Sequence, residues 1–186
     1  IRDRKSPLMA VSNPFVFGEF QVYEGRDSYT LSSANIKEYF LDLAQMQPGV
    51  YYGFYFLELA EYFGQEGNDE TQMLNLLYVT MNAIRRGKQD LRLVRCIFEL
   101  RTITISGEAP QMFSCMECST KENLTVFSLR DSAIYCPNCG KTIRDPWPLQ
   151  PGTVLACRYI IAAPLAKLYG FTAVSYTHLR AHETRH

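Results

Sequence analysis

The chain has 186 residues and is 47% hydrophobic, enough for one good core or one core with small satellites. Its 19 basic and 19 acidic side chains cancel, which excludes a global field attracting nucleic acid and leaves any such binding to local patches. The longest apolar runs, 50–57 and 159–168, are too short to cross a bilayer, and the second contains Pro164 and Lys167.

In chain order, Arg2, Arg4 and Lys5 precede Pro7, and 15–23 reads as a strand with Val16, Phe20 and Val22 on one side and a bulge at Gly18. A turn at 24–27 leads to a second strand over 28–32, so the two form a hairpin. Asn35 with Glu38 three residues later has the form of a capping box, predicting a short helix with Ile36, Tyr39, Phe40 and Leu43 on one face, ended by Pro48-Gly49. A helix over 51–63 is nearly apolar all round, the signature of a helix at the centre of a bundle. Glu58 interrupts it, and a buried carboxylate there needs a cation such as Arg95 or Arg101. Glutamates three apart, as at Glu58 and Glu61, are commonplace on helices, and no nucleophile accompanies them.

After a loop at 64–68, an amphipathic helix over 69–86 carries Met73, Leu77, Met81 and Ile84 and stops at Gly87. Asp90 caps the next helix, which runs to about Ile105. Arg85, Arg86, Lys88, Arg92 and Arg95 gather at the joint between these helices. The patch suits phosphate contact, while arginines in a last helical turn also complement the helix dipole. Further on, Pro146-Trp147-Pro148 and Pro151-Gly152 lead back to a final helix over 153–168, broken near Pro164.

Between the last two helices lies the strongest signal. Cys115-Met-Glu-Cys118 and Cys136-Pro-Asn-Cys139 are separated by seventeen residues, the spacing of two zinc knuckles. Four thiolates fill a tetrahedral shell and leave no open position for water, so a structural zinc is expected rather than a catalytic one. A nucleobase deaminase also pairs cysteines, but Pro137 lies inside the pair and no histidine precedes it. The arm over 124–135, with Val126, Phe127, Ile134 and Tyr135, predicts a small hairpin over the metal. The other two cysteines, Cys96 and Cys157, sit among apolar residues and read as small buried hydrophobes in a reducing compartment.

Both ends are unusual. Ile1 and its neighbours read as the interior of a longer chain. His178, His182 and His186 are spaced by four, which on a helix would form a metal-binding face. However, the eleven residues from 174 to 184 resemble a translated sequencing transposon adaptor, and the tail is set aside from functional reasoning. Removing it takes away two arginines and one glutamate, leaving a formal charge of −1 and no histidine.

The succession of these pieces resembles the RecO family of bacterial DNA repair and recombination mediators. The features that carry the resemblance are Phe-Gly-Glu-Phe-Gln-Val-Tyr-Glu-Gly at 17–25, Tyr-Phe-Leu-Glu-Leu-Ala-Glu at 55–61, and Phe-Glu-Leu-Arg at 98–101. The four cysteines, Pro151-Gly152, Arg158-Tyr159-Ile160, Pro164-Leu165 and Lys167-Leu168 complete the set. Ser119 stands where the family often has glycine.

The resemblance implies a mainly α fold with small β parts. A closing hairpin of a truncated OB-fold at 1–32 would precede a helical bundle domain over 33–109 and 148–173, with a zinc-binding insertion at 110–147 and the adaptor-like tail at 174–186. It also implies a bacterial cytoplasmic, nucleoid-associated protein of the RecF pathway that is not an enzyme and has no small-molecule substrate. Such a protein binds single- and double-stranded DNA, anneals strands, and with RecR helps load recombinase onto DNA coated by single-strand-binding protein, whose acidic C-terminal tail it contacts. By this analogy the DNA-contact candidates are Arg4, Lys5, Arg85, Arg86, Lys88, Arg92 and Arg95. The alternative is a zinc-stabilised protein-interaction adaptor.

Overall fold

The computed structural model describes Val11 and residues 13–171. Arg4, Lys5, the three histidines and the adaptor-like tail lie outside the described residues.

Two antiparallel strands, β1 (Phe17–Glu24) and β2 (Tyr29–Glu38), form the first hairpin. Its turn is closed by the Gly25 N–H donating to Ser28 O at 2.8 Å. The pairing shifts register between Phe17 and Gly18, at the expected bulge, where a Cβ on residue 18 would run into the Asn35 carbonyl. The second strand does not end at Ser32. It continues through Asn35 to Glu38, so the expected capping box is absent and the boundary drawn after residue 32 falls inside a strand. Strand pairing satisfies the backbone here, and Glu38 Oε1 accepts from the Tyr39 and Phe40 N–H groups at 3.1 and 3.4 Å in the turn before the helix, which has no side-chain cap. The short helix α1 then runs only from Leu41 to Gln45.

Helices α2 (Gly49–Phe63), α3 (Thr71–Arg86) and α4 (Leu91–Ile105) pack around one core whose largest fully buried side chains include Phe56, Phe98, Leu76 and Ile97. The Phe56 and Phe98 rings lie 4.4 Å apart between centroids. Local chemistry marks three of the ends. Asp69 accepts from the Thr71 N–H at 3.0 Å, Asp90 accepts from the Arg92 N–H at 2.8 Å, and Gly87 closes α3 at φ +59°.

The expectation that α2 sits at the centre of the bundle is corrected. One stripe, Gly49, Gly53, Phe56 and Ala60, is buried, while Tyr51, Phe54, Tyr55 and Tyr62 are exposed on the outer face. Glu58 is exposed as well and takes no partner from α4: Arg95 pairs with Glu99, and Arg101 reaches α5. The aromatic rings made α2 look uniformly apolar, yet tyrosine with its hydroxyl in water is at home on a surface.

The insertion is a three-stranded sheet of order β4-β3-β5, with β3 (Val126–Ser128), β4 (Ala133–Tyr135) and β5 (Pro146–Pro148). The first two are the predicted hairpin. β5 is an addition, because two prolines around a tryptophan read as a turn although proline is tolerated on an edge strand. Helix α5 (Pro151–Ala162) then joins the two cores, with Val154 in the module and Ile160 in the bundle. It ends before Pro164, and a 3-10 turn follows at Leu165–Lys167, in agreement with the predicted break.

Candidate metal centre and basic cleft

The four cysteine sulfurs converge, all within 4.8 Å of one another. A tetrahedral ion with sulfur ligands at roughly 2.3 Å sets neighbouring sulfurs about 3.8 Å apart, and Cys118 Sγ and Cys136 Sγ stand at 3.8 Å. The set fits a metal ion in size and in the softness of its donors.

Backbone geometry prepares the site. In the first knuckle the Cys115 N–H donates to Thr120 O at 2.7 Å and Ser119 N–H to Cys115 O at 2.9 Å. Ser119 adopts φ +61°, a left-handed conformation that glycine takes at no steric cost. In the second knuckle the Gly140 N–H donates to Cys136 O at 2.8 Å, while the Cys136 N–H points at Cys115 Sγ at 3.4 Å. A bond from Met116 N–H to Ile134 O at 3.0 Å ties the first knuckle to the hairpin.

The electrostatics suit a bound cation. Burial opposes ionisation of Cys115, but N–H groups of Cys118, Cys136 and Glu117 outweigh it and bring the thiol down to about 6. Cys139, hydrogen-bonded to Cys136, is pushed up to about 12, the mark of sulfurs crowded together, and a positive ion among them would favour their thiolate forms. At the other end of β3, Ser128 is fully buried and lies 2.9 Å from Asp131 Oδ2 and 3.0 Å from Asp145 Oδ1. Tyr135 donates to Asp131 at 2.9 Å, and burial together with that bond raises it to about 12.

The predicted basic patch divides into two groups. Arg85 is engaged by Glu38 at 3.3 Å and Asp42 at 3.6 Å, and its guanidinium lies 5.2 Å from the Phe40 ring centroid. Arg92 meets Asp90 at 3.6 Å, and Arg95 meets Glu99 at 2.8 Å beside Tyr55. By contrast Arg86 and Lys88 are exposed and line a cleft of about 650 Å³ between α3 and the segment after α5. Tyr78, Leu165, Tyr169 and Phe171 supply its apolar walls.

The cleft wall was not legible in the sequence. Gln89 Nε2 donates to the carbonyls of Tyr169 and Phe171 at 3.2 and 3.1 Å, and Tyr169 Oη meets Thr80 Oγ1 at 2.7 Å. These partners are 80 or more residues apart, beyond any local signal. Cys96 also departs from expectation, because it faces outward on α4; Cys157 is partly buried.

A protein-family model described as Recombination protein O C terminal matches residues 49–183, well over half of the chain. The DNA repair protein RecO of Alkaliphilus metalliredigens is 28% identical over 178 residues, covering 95% of this chain and 72% of the relative. That of Caldicellulosiruptor saccharolyticus is 32% identical over 136 residues, covering 72% and 55%. That of Caldicellulosiruptor bescii is 29% identical over 164 residues, covering 88% and 66%. Against these three the chain thus spans between 55% and 72% of the relative's own length. On the strength of the family match, the chain belongs to the RecO family.

Proposed function

We propose that the protein is a DNA-binding recombination mediator of DNA repair. In this reading it binds single- and double-stranded DNA and anneals complementary strands. With RecR it then helps load recombinase onto single-stranded DNA coated by single-strand-binding protein, in the RecF pathway of the bacterial cytoplasm. Family membership over residues 49–183 is the observation that carries it, together with relatives that bear the name DNA repair protein RecO.

The four cysteines hold a structural zinc whose full shell leaves no place for a reacting water, so binding rather than catalysis is assigned. The first hairpin is read as the closing element of an OB-fold. The cations at the cleft, Arg86 and Lys88, are the preferred phosphate contacts, since Arg85, Arg92 and Arg95 each have a carboxylate close by. Arg4 and Lys5 remain candidates by resemblance. The cleft's apolar walls beside two cations also suit an acidic tail carrying apolar side chains, as expected for single-strand-binding protein.

The test is charge reversal. Arg86→Glu with Lys88→Glu should weaken oligonucleotide binding by a similar factor for every sequence and lower the salt slope by about one for each phosphate that is no longer neutralised. Unchanged affinity would remove these two residues from the interface. A second reading, a protein-interaction adaptor, is favoured by the exposed aromatic stripe of α2, where Tyr51 is 63% and Tyr62 82% exposed.

A further inference from the structure

The zinc module carries the chain's sole tryptophan, on an edge strand of its sheet. Trp147 lies at the centre of edge strand β5, opposite Phe127 of β3, which in turn pairs with Ile134 of β4. Paired residues of antiparallel strands share a face, so Ile134, Phe127 and Trp147 form one cross-strand row. The row runs from a fully buried isoleucine through a half-buried phenylalanine to a ring that is 49% exposed. The indole is therefore the exposed end of a row anchored in the module's core.

Three cations lie near it in the chain. Arg130, Lys141 and Arg144 are exposed, and among the described residues none of them forms an ion pair. The carboxylates nearest them in the chain are turned to internal use. Asp145 accepts from Ser128 Oγ and, at 2.9 Å, from the Arg130 N–H, and Asp131 accepts from Ser128 and Tyr135. The bond between Asp145 and Arg130 brings the β3–β4 turn beside the start of β5, gathering Arg130 and Arg144 at one end of the tryptophan strand. Glu117 and Glu122, the other acidic side chains of the insertion, belong to the first knuckle and the segment after it.

An exposed aromatic ring with cations free of ion pairs beside it has the chemistry of a stacking platform for unpaired bases, with phosphates reaching the cations. We infer that Trp147, with Arg130 and Arg144, forms a single-strand binding site on the zinc module that stacks an unpaired nucleobase. The inference rests on the DNA-binding reading and adds a discrimination to it, since a duplex keeps its bases stacked and offers the indole only an edge or a backbone.

The sole tryptophan makes the test direct. The protein is titrated with a thymidine oligonucleotide and with a duplex of equal length, following indole fluorescence together with the anisotropy of labelled DNA. Quenching by the single strand but not by the duplex is expected. Trp147→Ala should weaken single-strand binding about ten-fold or more and leave duplex binding unchanged, whereas Trp147→Phe should retain most of the affinity. A single strand that binds by anisotropy with no change in the indole signal, or a Trp147→Ala protein of unaltered affinity, overturns the inference and leaves the broader DNA-binding reading standing. No binding of either nucleic acid overturns both. An indole that responds only to a protein partner would make this face a protein-docking surface instead.

Discussion

Gly140 sits directly against Val126: a Cβ on residue 140 would lie 2.8 Å from the valine Cβ and 2.9 Å from Cγ2. The second knuckle is thereby pressed onto strand β3, and the Val126 Cβ is fixed to the strand backbone, so rotating the side chain cannot relieve the contact. Gly140→Ala should destabilise the protein by about 1–3 kcal/mol, the usual cost of overpacking. Urea unfolding followed by circular dichroism measures it. A midpoint equal to wild type would mean that the knuckle is not seated on the strand.

Metal removal should act locally first. About one zinc per chain is expected from the four-sulfur set, and a strong chelator should expose the insertion to protease while α2, α3 and α4 keep their helical signal. The two cores give the physical reason: Met112, Leu124 and Ile134 cluster around the cysteines, apart from the Phe56 and Phe98 core. Elemental analysis and limited proteolysis check both parts. Loss of all helix together with the metal would show that the bundle depends on the ion.

Arg101 links α4 to the end of α5. Its Nη1 donates to Ile160 O at 3.0 Å and also to Ile161 O, carbonyls of a last helical turn that lack the usual intrahelical partner. A cation there also faces the negative end of the helix. Arg101→Met keeps the apolar stem but strands those carbonyls, so a loss of about 1.5–3 kcal/mol is expected in equilibrium unfolding. A stability within experimental error of wild type would remove this interaction from the account.

Glu38 makes the first helix junction sensitive to acid. The Phe40 N–H most of all, helped by the Arg85 guanidinium and the Tyr39 N–H, holds its carboxyl below the ordinary value of 4.5 against the opposing effect of burial. A depressed folded-state pKa means that the contribution is complete above about pH 4.5 and is lost as pH falls through the lower folded value. Comparing wild type with Glu38→Gln across that window should show the difference between them shrinking toward acid. A difference independent of pH would contradict the assignment.

Much of this was legible in local chemistry. Asp90 and Gly87 bound their helices as their side-chain types predict, and the two Cys-x-x-Cys knuckles announced the four sulfurs that converge closely enough to hold a metal ion. What failed did so where tertiary context overrides a local pattern. Asn35 and Glu38 have capping-box spacing, but the partner strand β1 claims that backbone through Glu38. The aromatic residues of α2 suggested burial on every side, though only one stripe is enclosed. For the basic patch, sequence located five cations but could not show that Glu38 and Asp42 meet Arg85 while Arg86 and Lys88 line the cleft.

The salt dependence of oligonucleotide binding tests the DNA-mediator reading most directly. Binding through several phosphates releases counterions, so the logarithm of affinity should fall steeply and linearly with the logarithm of salt concentration, and less steeply once Arg86 and Lys88 are reversed. A shallow slope unchanged by those substitutions, or no oligonucleotide binding even at low salt, would contradict the account and favour an adaptor that docks through the aromatic face of α2.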